Sequence, residues 1–331
     1  MSRRAVIQSI GHALPTKVLT NADLETMVDT NDEWIVQRTG IRERRVCEGP
    51  IECTGWLALN ASREAIDRAG IDPLDIGLVL CGTVSGDFIW PSTACMVQDQ
   101  VGAKNAGAFD VSAACAGFIY ALSNAAAMVV TGQVDHALVI GVDSLSKQVN
   151  WEDRSTAILF GDGAGAVVVS AMDDSETDRG LLGTVLLSDG SGSKFICIDV
   201  GGSRYPWGSE QAEGKRNKIT MMGSEVYRFA VQSMGDACCK VLDKVGMTPD
   251  EIDLFVPHQA NLRIIESSAK RLGLPPEKVF LNVHKYGNTS AGSIPLGLYE
   301  AEAEGRLKKG MTVLTVGFGA GLVWGANVIR W

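Results

Sequence analysis

The chain has 331 residues, enough for one large α/β unit or two packed domains, and its 46% hydrophobic and 21% charged content supports a sizeable core. A formal net charge of −9 excludes a general nucleic-acid or anionic-membrane surface, because either would need a basic face. Eight cysteines (Cys47, Cys53, Cys81, Cys95, Cys115, Cys197, Cys238 and Cys239) form no C-x-x-C pair, and metal-ligand histidine spacing is missing. Free thiols in a reducing compartment are therefore expected, with neither a disulfide framework nor a metal site.

In chain order, residues 5–10 read as a strand with no cleavable leader pattern before them, so a cytoplasmic location is the expectation. The near-continuous apolar runs at 76–81, 137–141 and 164–169 predict strands buried on both faces. They alternate with helical stretches in an α/β pattern. Residues 113–130 form the longest apolar helix candidate; Ser123, Asn124 and the lack of flanking charges mark it as a buried helix and not a membrane span. Residues 200–218 are rich in Gly, Ser and charge, contain Trp207 and show little periodicity. They read as a long surface loop, either a flap over a site or a plain insertion.

Two phrases recur in the same order. A-G-I-D-P-L-D-I-G-L-V-L at 69–80 matches V-G-M-T-P-D-E-I-D-L-F-V at 245–256, and G-D-G-A-G-A-V-V-V at 161–169 matches G-F-G-A-G-L-V-W-G at 317–325. Each of the first pair is a helix ending at glycine, a proline-bearing turn and an apolar strand. The repeated order predicts a duplicated α/β unit with halves 1–175 and 176–331, joined through the acidic stretch 171–180.

The chemistry concentrates at a few turns. D-V-S-A-A-C-A-G-F at 110–118 places Cys115 between a strand and a long helix, where free N–H groups and the helix dipole favour a thiolate. A cysteine nucleophile needs a basic or charge-stabilising partner. Of four histidines, His258 in V-P-H-Q-A-N-L-R follows an apolar strand and precedes a helix, a common place for catalytic groups. His12, His136 and His284 read as surface or structural. Asn288 in Y-G-N-T-S-A-G-S can offer its amide to a developing enolate oxygen. By the two-half pattern His258 corresponds to Gly82–Thr83 and Asn288 lies close to the position of Cys115, so all three are expected around one pseudo-twofold axis. V-G-F-G-A-G-L at 316–322 reads as a glycine-rich turn that can aim N–H groups at a thioester oxygen. G-D-G-A-G-A at 161–166 lacks the context of a dinucleotide site and reads as a tight structural turn.

With these motifs the chain resembles the thiolase-fold condensing enzymes, and among them the bacterial β-ketoacyl-acyl-carrier-protein synthase III family. The resemblance runs through T-N-A-D-L-E at 20–25, D-E-W-I-V-Q-R-T-G-I-R-E-R at 32–44, A-A-C-A-G-F at 113–118, F-G-D-G-A-G-A at 160–166, V-P-H-Q-A-N-L-R-I-I at 256–265 and G-N-T-S-A at 287–291. It implies a five-layer αβαβα fold built from two similar halves. It also implies a decarboxylative Claisen condensation that starts fatty-acid synthesis, from a short acyl-CoA (acetyl-CoA first) and malonyl-acyl-carrier protein. By resemblance Cys115 is the acyl-accepting nucleophile, with His258 and Asn288 supporting decarboxylation. The N–H groups of Cys115 and Ala320 serve as oxyanion donors, although Ala320 stands where the family commonly has glycine. Phe318 sits beside the malonyl carboxylate. Trp34 and Arg154 sandwich the adenine of coenzyme A, Arg38 lies near its phosphates and Asn261 lines the pantetheine tunnel. Arg228, Arg263, Lys270 and Arg271 dock the acidic carrier protein. Trp90 shapes the acyl pocket across a homodimer interface, and no metal or redox cofactor is implied. A related condensing or acyl-transfer enzyme of secondary metabolism, or a Cys–His–Asn hydrolase, would use the same three groups.

Overall fold

The computed structural model describes residues 3–215 and 217–331. Strand β1 (Arg3–Ala13) precedes a small sheet of β2 (Lys17–Thr20) and β3 (Glu43–Val46), between which lie helices α1 (Asn21–Glu25) and α2 (Asp32–Thr39). Then follow α3 (Thr54–Ala69), β4 (Ile76–Gly82), α4 (Thr93–Gln100), β5 (Gly107–Val111), α5 (Gly117–Val130), β6 (His136–Ser144), α6 (Arg154–Ala157) and β7 (Asp162–Asp173). The second half opens with β8 (Gly180–Ser188), the short strands β9 (Ile196–Cys197) and β10 (Thr220–Met221), and α7 (Gly223–Val245). It ends with β11 (Leu254–Pro257), α8 (Leu262–Leu272), α9 (Val283–Tyr286), α10 (Ser293–Ala303), β12 (Thr312–Gly319) and β13 (Val323–Arg330).

The two large sheets repeat one another. One runs β1-β7-β6-β4-β5 and the other β8-β13-β12-β11, with Val279 bridging Phe255 in parallel where a fifth strand would stand. In each, the first two pairings are antiparallel and the later ones parallel. Helices α3 and α7 both stop at a left-handed glycine, Gly70 (φ +67°) and Gly246 (φ +70°), where only the absence of a Cβ makes the conformation inexpensive. Each then passes through a proline-bearing 3-10 turn, Pro73–Asp75 or Pro249–Glu251, into β4 or β11.

The layers follow from the side chains. Strands β4, β7 and β12 are apolar and buried along nearly their whole length, as strands covered on both faces must be. Helix α5, G-F-I-Y-A-L-S-N-A-A-A-M-V-V, is apolar almost all round because it and α10 lie between the sheets. There Leu122, Val129 and Leu298 pack against Leu80 and Val167 of one sheet and Val256 and Val313 of the other. Helices α3 and α4 cover the outer face of the first sheet, and α7 and α8 that of the second. The result is five layers in the order αβαβα. The motif at 161–166 is not a tight turn: it enters β7, and its small residues let α10 come close, so that a Cβ on Gly165 would lie 2.6 Å from that of Pro295. Among the described residues no helix is long and apolar enough to cross a membrane.

Backbone meets backbone where the turn before α10 crosses the first sheet. A methyl group on Gly141 of β6 would overlap the carbonyl oxygen of Ala291, which belongs to that turn and cannot swing aside. Gly141→Ala should therefore cost about 1–3 kcal/mol in chemical unfolding. An unchanged midpoint would show that the crossing is looser than described.

Candidate active site

Strand β5 ends at Val111, and residues Ala114–Ala116 make a single 3-10 turn before α5. Ala114 takes a left-handed φ of +43°, which for a side chain with a Cβ costs about 1–3 kcal/mol. That strain turns Cys115 inward at the N-terminal end of α5. The thiol is only 8% exposed, and burial pushes it up to about 12. The hydroxyl of Ser290 opposes this rise, and the charge of Asp143 adds to it. Ser290 Oγ donates to Cys115 Sγ at 3.3 Å.

His258 leaves the end of β11 with its backbone N–H donating to the Val316 carbonyl at 2.8 Å. Its ring is 1% exposed, and neither ring nitrogen has a hydrogen-bond partner among the described residues. Burial alone pulls it down to about 3, so the imidazole is neutral at pH 7. Phe318 stands edge-on to it, with ring centroids 5.8 Å apart and planes at 68°. Two unpaired buried nitrogens are costly unless something that enters the site completes them.

Asn288 is fixed by its own backbone: its N–H donates to Leu159 at 2.8 Å and its carbonyl accepts from Gly161 at 3.0 Å. The side-chain oxygen accepts from the Ser290 N–H at 2.9 Å. A backbone donor needs an acceptor, so the amide's orientation is set and its NH2 group is left for the cavity.

These side chains meet in a cavity of about 520 Å³ bordered by Cys115, His258, Asn288, Phe318 and Ala320. Toward its mouth lie Trp34, Arg38, Asn261 and Arg263. A second cavity of about 220 Å³, with Val84, Leu145, Ile198 and Ile219 in its wall, opens on the other side of Cys115. Cys115, Phe160, Ile196 and Ala320 border both. Ile196 comes from the β9–β10 ribbon, so the base of the 200–218 loop forms a wall of the site while most of the loop itself stays outside. A Cβ on Gly319 would stand 2.6 Å from the Cys115 nitrogen, so only glycine lets the end of β12 approach the nucleophile's N–H. Ala320 follows directly. Its φ is not left-handed, so alanine keeps the backbone donor expected there without strain.

The other expected residues fall into three groups. Arg38 and Arg154 both lie over the Trp34 ring, at 4.1 and 5.1 Å from its centroid; Arg38, expected at the phosphates, is the nearer of the two, and Arg154 rests on the ring that it was expected to face across an adenine. Arg154 also holds Asp29 by ion pair and carbonyl. Asn261 borders the cavity, but its amide is already engaged as the N-cap of α8, accepting from Arg263 N and donating to the Arg38 carbonyl, both at 2.9 Å. Arg263 lies over Tyr227 at 5.5 Å, Arg228 pairs with Glu225, Arg271 pairs with Asp236, and Lys270 is exposed on the same helix face. Trp90 borders neither cavity; it is 83% exposed beside Phe88 and Ile89.

Two residues escaped the sequence reading. Ser290 lay inside the quoted N-T-S motif, but only its equivalence to Ala114 could have singled it out; it too has a left-handed φ, +51°. Asp143 offered a plainer signal, a lone carboxylate in the apolar strand A-L-V-I-G-V-D-S, and it is fully buried against the turn that carries Ser290, accepting from the Ala291 N–H.

Comparisons with known proteins identify the family and the fold. Residues 109–190 match the family model for 3-oxoacyl-[acyl-carrier-protein] synthase III, and residues 242–331 match its C-terminal model. A β-ketoacyl-[acyl-carrier-protein] synthase III from Caldanaerobacter subterraneus subsp. tengcongensis is 50% identical over 99% of this chain and 98% of its own. One from Symbiobacterium thermophilum is 51% identical over 98% and 97%. The crystal structure of the Aquifex aeolicus 3-oxoacyl-[acyl-carrier-protein] synthase III superposes with a TM-score of 0.90 at 44% identity, covering 99% of this chain and 100% of that one. The priming β-ketosynthase of the R1128 polyketide pathway gives 0.91 at 36%, covering 99% and 96%. The chain is therefore a member of the 3-oxoacyl-[acyl-carrier-protein] synthase III family, the condensing acyltransferases of thiolase fold that act in fatty-acid synthesis.

Proposed function

We propose that the chain carries out its family's condensation on Cys115, with a short acyl-CoA, acetyl-CoA first, as donor and malonyl-acyl-carrier protein as acceptor. The observation that carries this reading is the convergence of Cys115, His258 and Asn288 on one cavity, the first two from beyond the ends of β5 and β11 and the third from the turn after α9. In the first stage the Cys115 sulfur attacks the acyl thioester carbon. The C–S bond to coenzyme A breaks, and the leaving thiolate takes up the proton given up by Cys115. The N–H groups of Cys115 and Ala320 face the oxygen that becomes negative. In the second stage the malonyl carboxylate leaves as carbon dioxide. The electron pair of the broken C–C bond forms an enolate, stabilised by hydrogen bonds from His258 Nε2–H and the Asn288 amide. Neutral imidazole is the right form, since it donates a hydrogen bond without giving up its proton at this step. Phe318 keeps water from the carboxylate and so favours its loss as a neutral gas. The carbanion then attacks the acyl thioester, and sulfur leaves Cys115 free again. No metal or redox group enters this scheme.

The flanking features fit the same substrates. Trp34 with Arg38 and Arg154 offers an aromatic face and two cations to an adenine nucleotide. Arg228, Arg263, Lys270 and Arg271 give an otherwise acidic protein a local basic surface for an acidic carrier. Strand β5 is an edge, and its Phe109 is exposed together with Phe88, Ile89 and Trp90. A second copy of the chain would cover this apolar edge and bring Trp90 toward the neighbour's acyl pocket. The halves divide near residue 175, a reading supported by β7 ending at Asp173 and β8 starting at Gly180. The cytoplasm, where acyl-CoA is made available, is the fitting location.

Intact mass after mixing with acetyl-CoA should show one acetyl group on Cys115, lost as the β-ketobutyryl carrier forms. Release only as acetate would identify a hydrolase, and a Cys115→Ala protein that still condenses would remove the nucleophile. Asn288→Asp should still be acetylated, while malonyl decarboxylation falls roughly 10²–10³-fold because an acceptor replaces a donor at the enolate. Equal losses in both half-reactions would assign Asn288 elsewhere. Because burial holds His258 near 3, decarboxylation should be flat from pH 5 to 8. Acetylation, limited by the buried thiol, should climb toward about tenfold per pH unit from pH 6 to 9. A decarboxylation midpoint near pH 6.5 would mean that His258 is solvated.

A further inference from the structure

The reaction scheme leaves the buried pair Asp143 and Ser290 without a task. Asp143 Oδ1 accepts from Thr83 Oγ1 at 2.9 Å, Val84 N–H at 2.9 Å and Ser85 Oγ at 2.7 Å, and Oδ2 accepts from Ala291 N–H at 3.4 Å. The last bond ties the carboxylate to the turn that carries Ser290. A left-handed residue is normally glycine or asparagine; a serine there bears backbone strain, which needs an offsetting contact. Ser290 is 1% exposed, its hydroxyl donates to Cys115 Sγ at 3.3 Å, and it opposes the rise that burial imposes on the Asp143 carboxyl.

We infer that Ser290 is a further catalytic residue, whose hydroxyl donates to Cys115 sulfur whenever that sulfur carries negative charge, and that Asp143 is the positioning residue for its turn. Charge appears on sulfur twice: as the thiol attacks the acyl donor, and again when the tetrahedral adduct collapses and the C–S electron pair returns to sulfur. At neither point does Ser290 give up its proton; the hydrogen bond that it already donates to the thiol sulfur at 3.3 Å strengthens as that sulfur becomes charged. A buried carboxylate near a thiolate repels it, so a donor between them is placed where the repulsion is worst. His258 and Asp143 are the titratable groups around this sulfur, and His258 is neutral.

The inference rests on Cys115 being the nucleophile, and its test does not use turnover. The rate of Cys115 alkylation by iodoacetamide, followed by peptide mass from pH 6 to 10.5, is compared in the wild type, Ser290→Ala and Ser290→Gly. Glycine suits the left-handed backbone, so at least this variant keeps its fold, which thermal melting verifies. Both variants should alkylate roughly tenfold more slowly at pH 8, with profiles displaced to higher pH, as expected for losing one hydrogen bond to a charged group. Profiles that overlay the wild type in folded variants would overturn the role of Ser290. Asp143→Asn should slow alkylation at pH 8 if the carboxylate mainly sets the turn; faster alkylation would show that its charge is what matters and would overturn its positioning role. Acetyl-CoA adduct formation by the wild type is scored separately, so a failed acyl-enzyme and a failed Ser290 contact give different results.

Discussion

Everything in this molecule depends on the close crossing of backbone against backbone at its centre. The turns leading into α5 and α10 lie against sheet strands at positions where side chains are absent: Gly82 beside Gly117, Gly141 beside Ala291, and Gly163 beside Gly292. A side chain on Gly82, Gly141 or Gly292 would overlap the opposing backbone, so the layers would have to draw apart. The two turns could then no longer meet. Because they do, Ala114 and Ser290, the two non-glycine residues held left-handed among those described, face the same point from opposite halves. The strain of each is offset by the packing of the layers around it, not by local preference.

The same crossing sets the electrostatics. A site enclosed by two sheets and two helices buries Cys115 and His258, so the charged forms of both are disfavoured. A resting thiolate–imidazolium pair is thereby avoided, and the histidine remains a neutral donor. Charge has to be stabilised where it appears, by dipoles already in place: the N-terminal end of α5, the N–H groups near Gly319, the Asn288 amide. Their geometry is fixed by backbone hydrogen bonds and therefore does not need to reorganise.

How much of this could be read from the sequence depended on whether the signal was local. Buried strands announced themselves by unbroken apolar runs, and the duplication by two matching phrases whose glycines prove to be helix stops at equal φ. Cys115, His258 and Asn288 stood out because each is a polar residue at a turn between apolar elements. What stayed hidden was non-local. Residues 161–166 carry a glycine-rich turn signal that overlaps the apolar run 164–169, and the strand reading is the one that holds, with Gly165 packed against Pro295. Alanine and serine give no warning of left-handed backbone, since the tertiary crossing imposes it. Asn261 looked free for a ligand because nothing in the sequence shows it capping α8 and holding the Arg38 carbonyl.

The two cavities give the reaction its order. They share Cys115, Phe160, Ile196 and Ala320, so the sulfur borders both. On the proposed reading, an acyl group delivered through the larger cavity is held in the smaller one, and the malonyl carrier uses the same approach past Arg38 and Arg263. Coenzyme A then has to leave before the second substrate enters, which makes the proposed reaction a double displacement. His258, Asn288 and Phe318 border the larger cavity and not the smaller, on the side from which the second substrate arrives. The acyl chain and the decarboxylating group thus occupy different spaces. Changes in the walls of the smaller one, such as Val84 or Ile198, can alter which acyl group is held without disturbing the groups that stabilise the enolate.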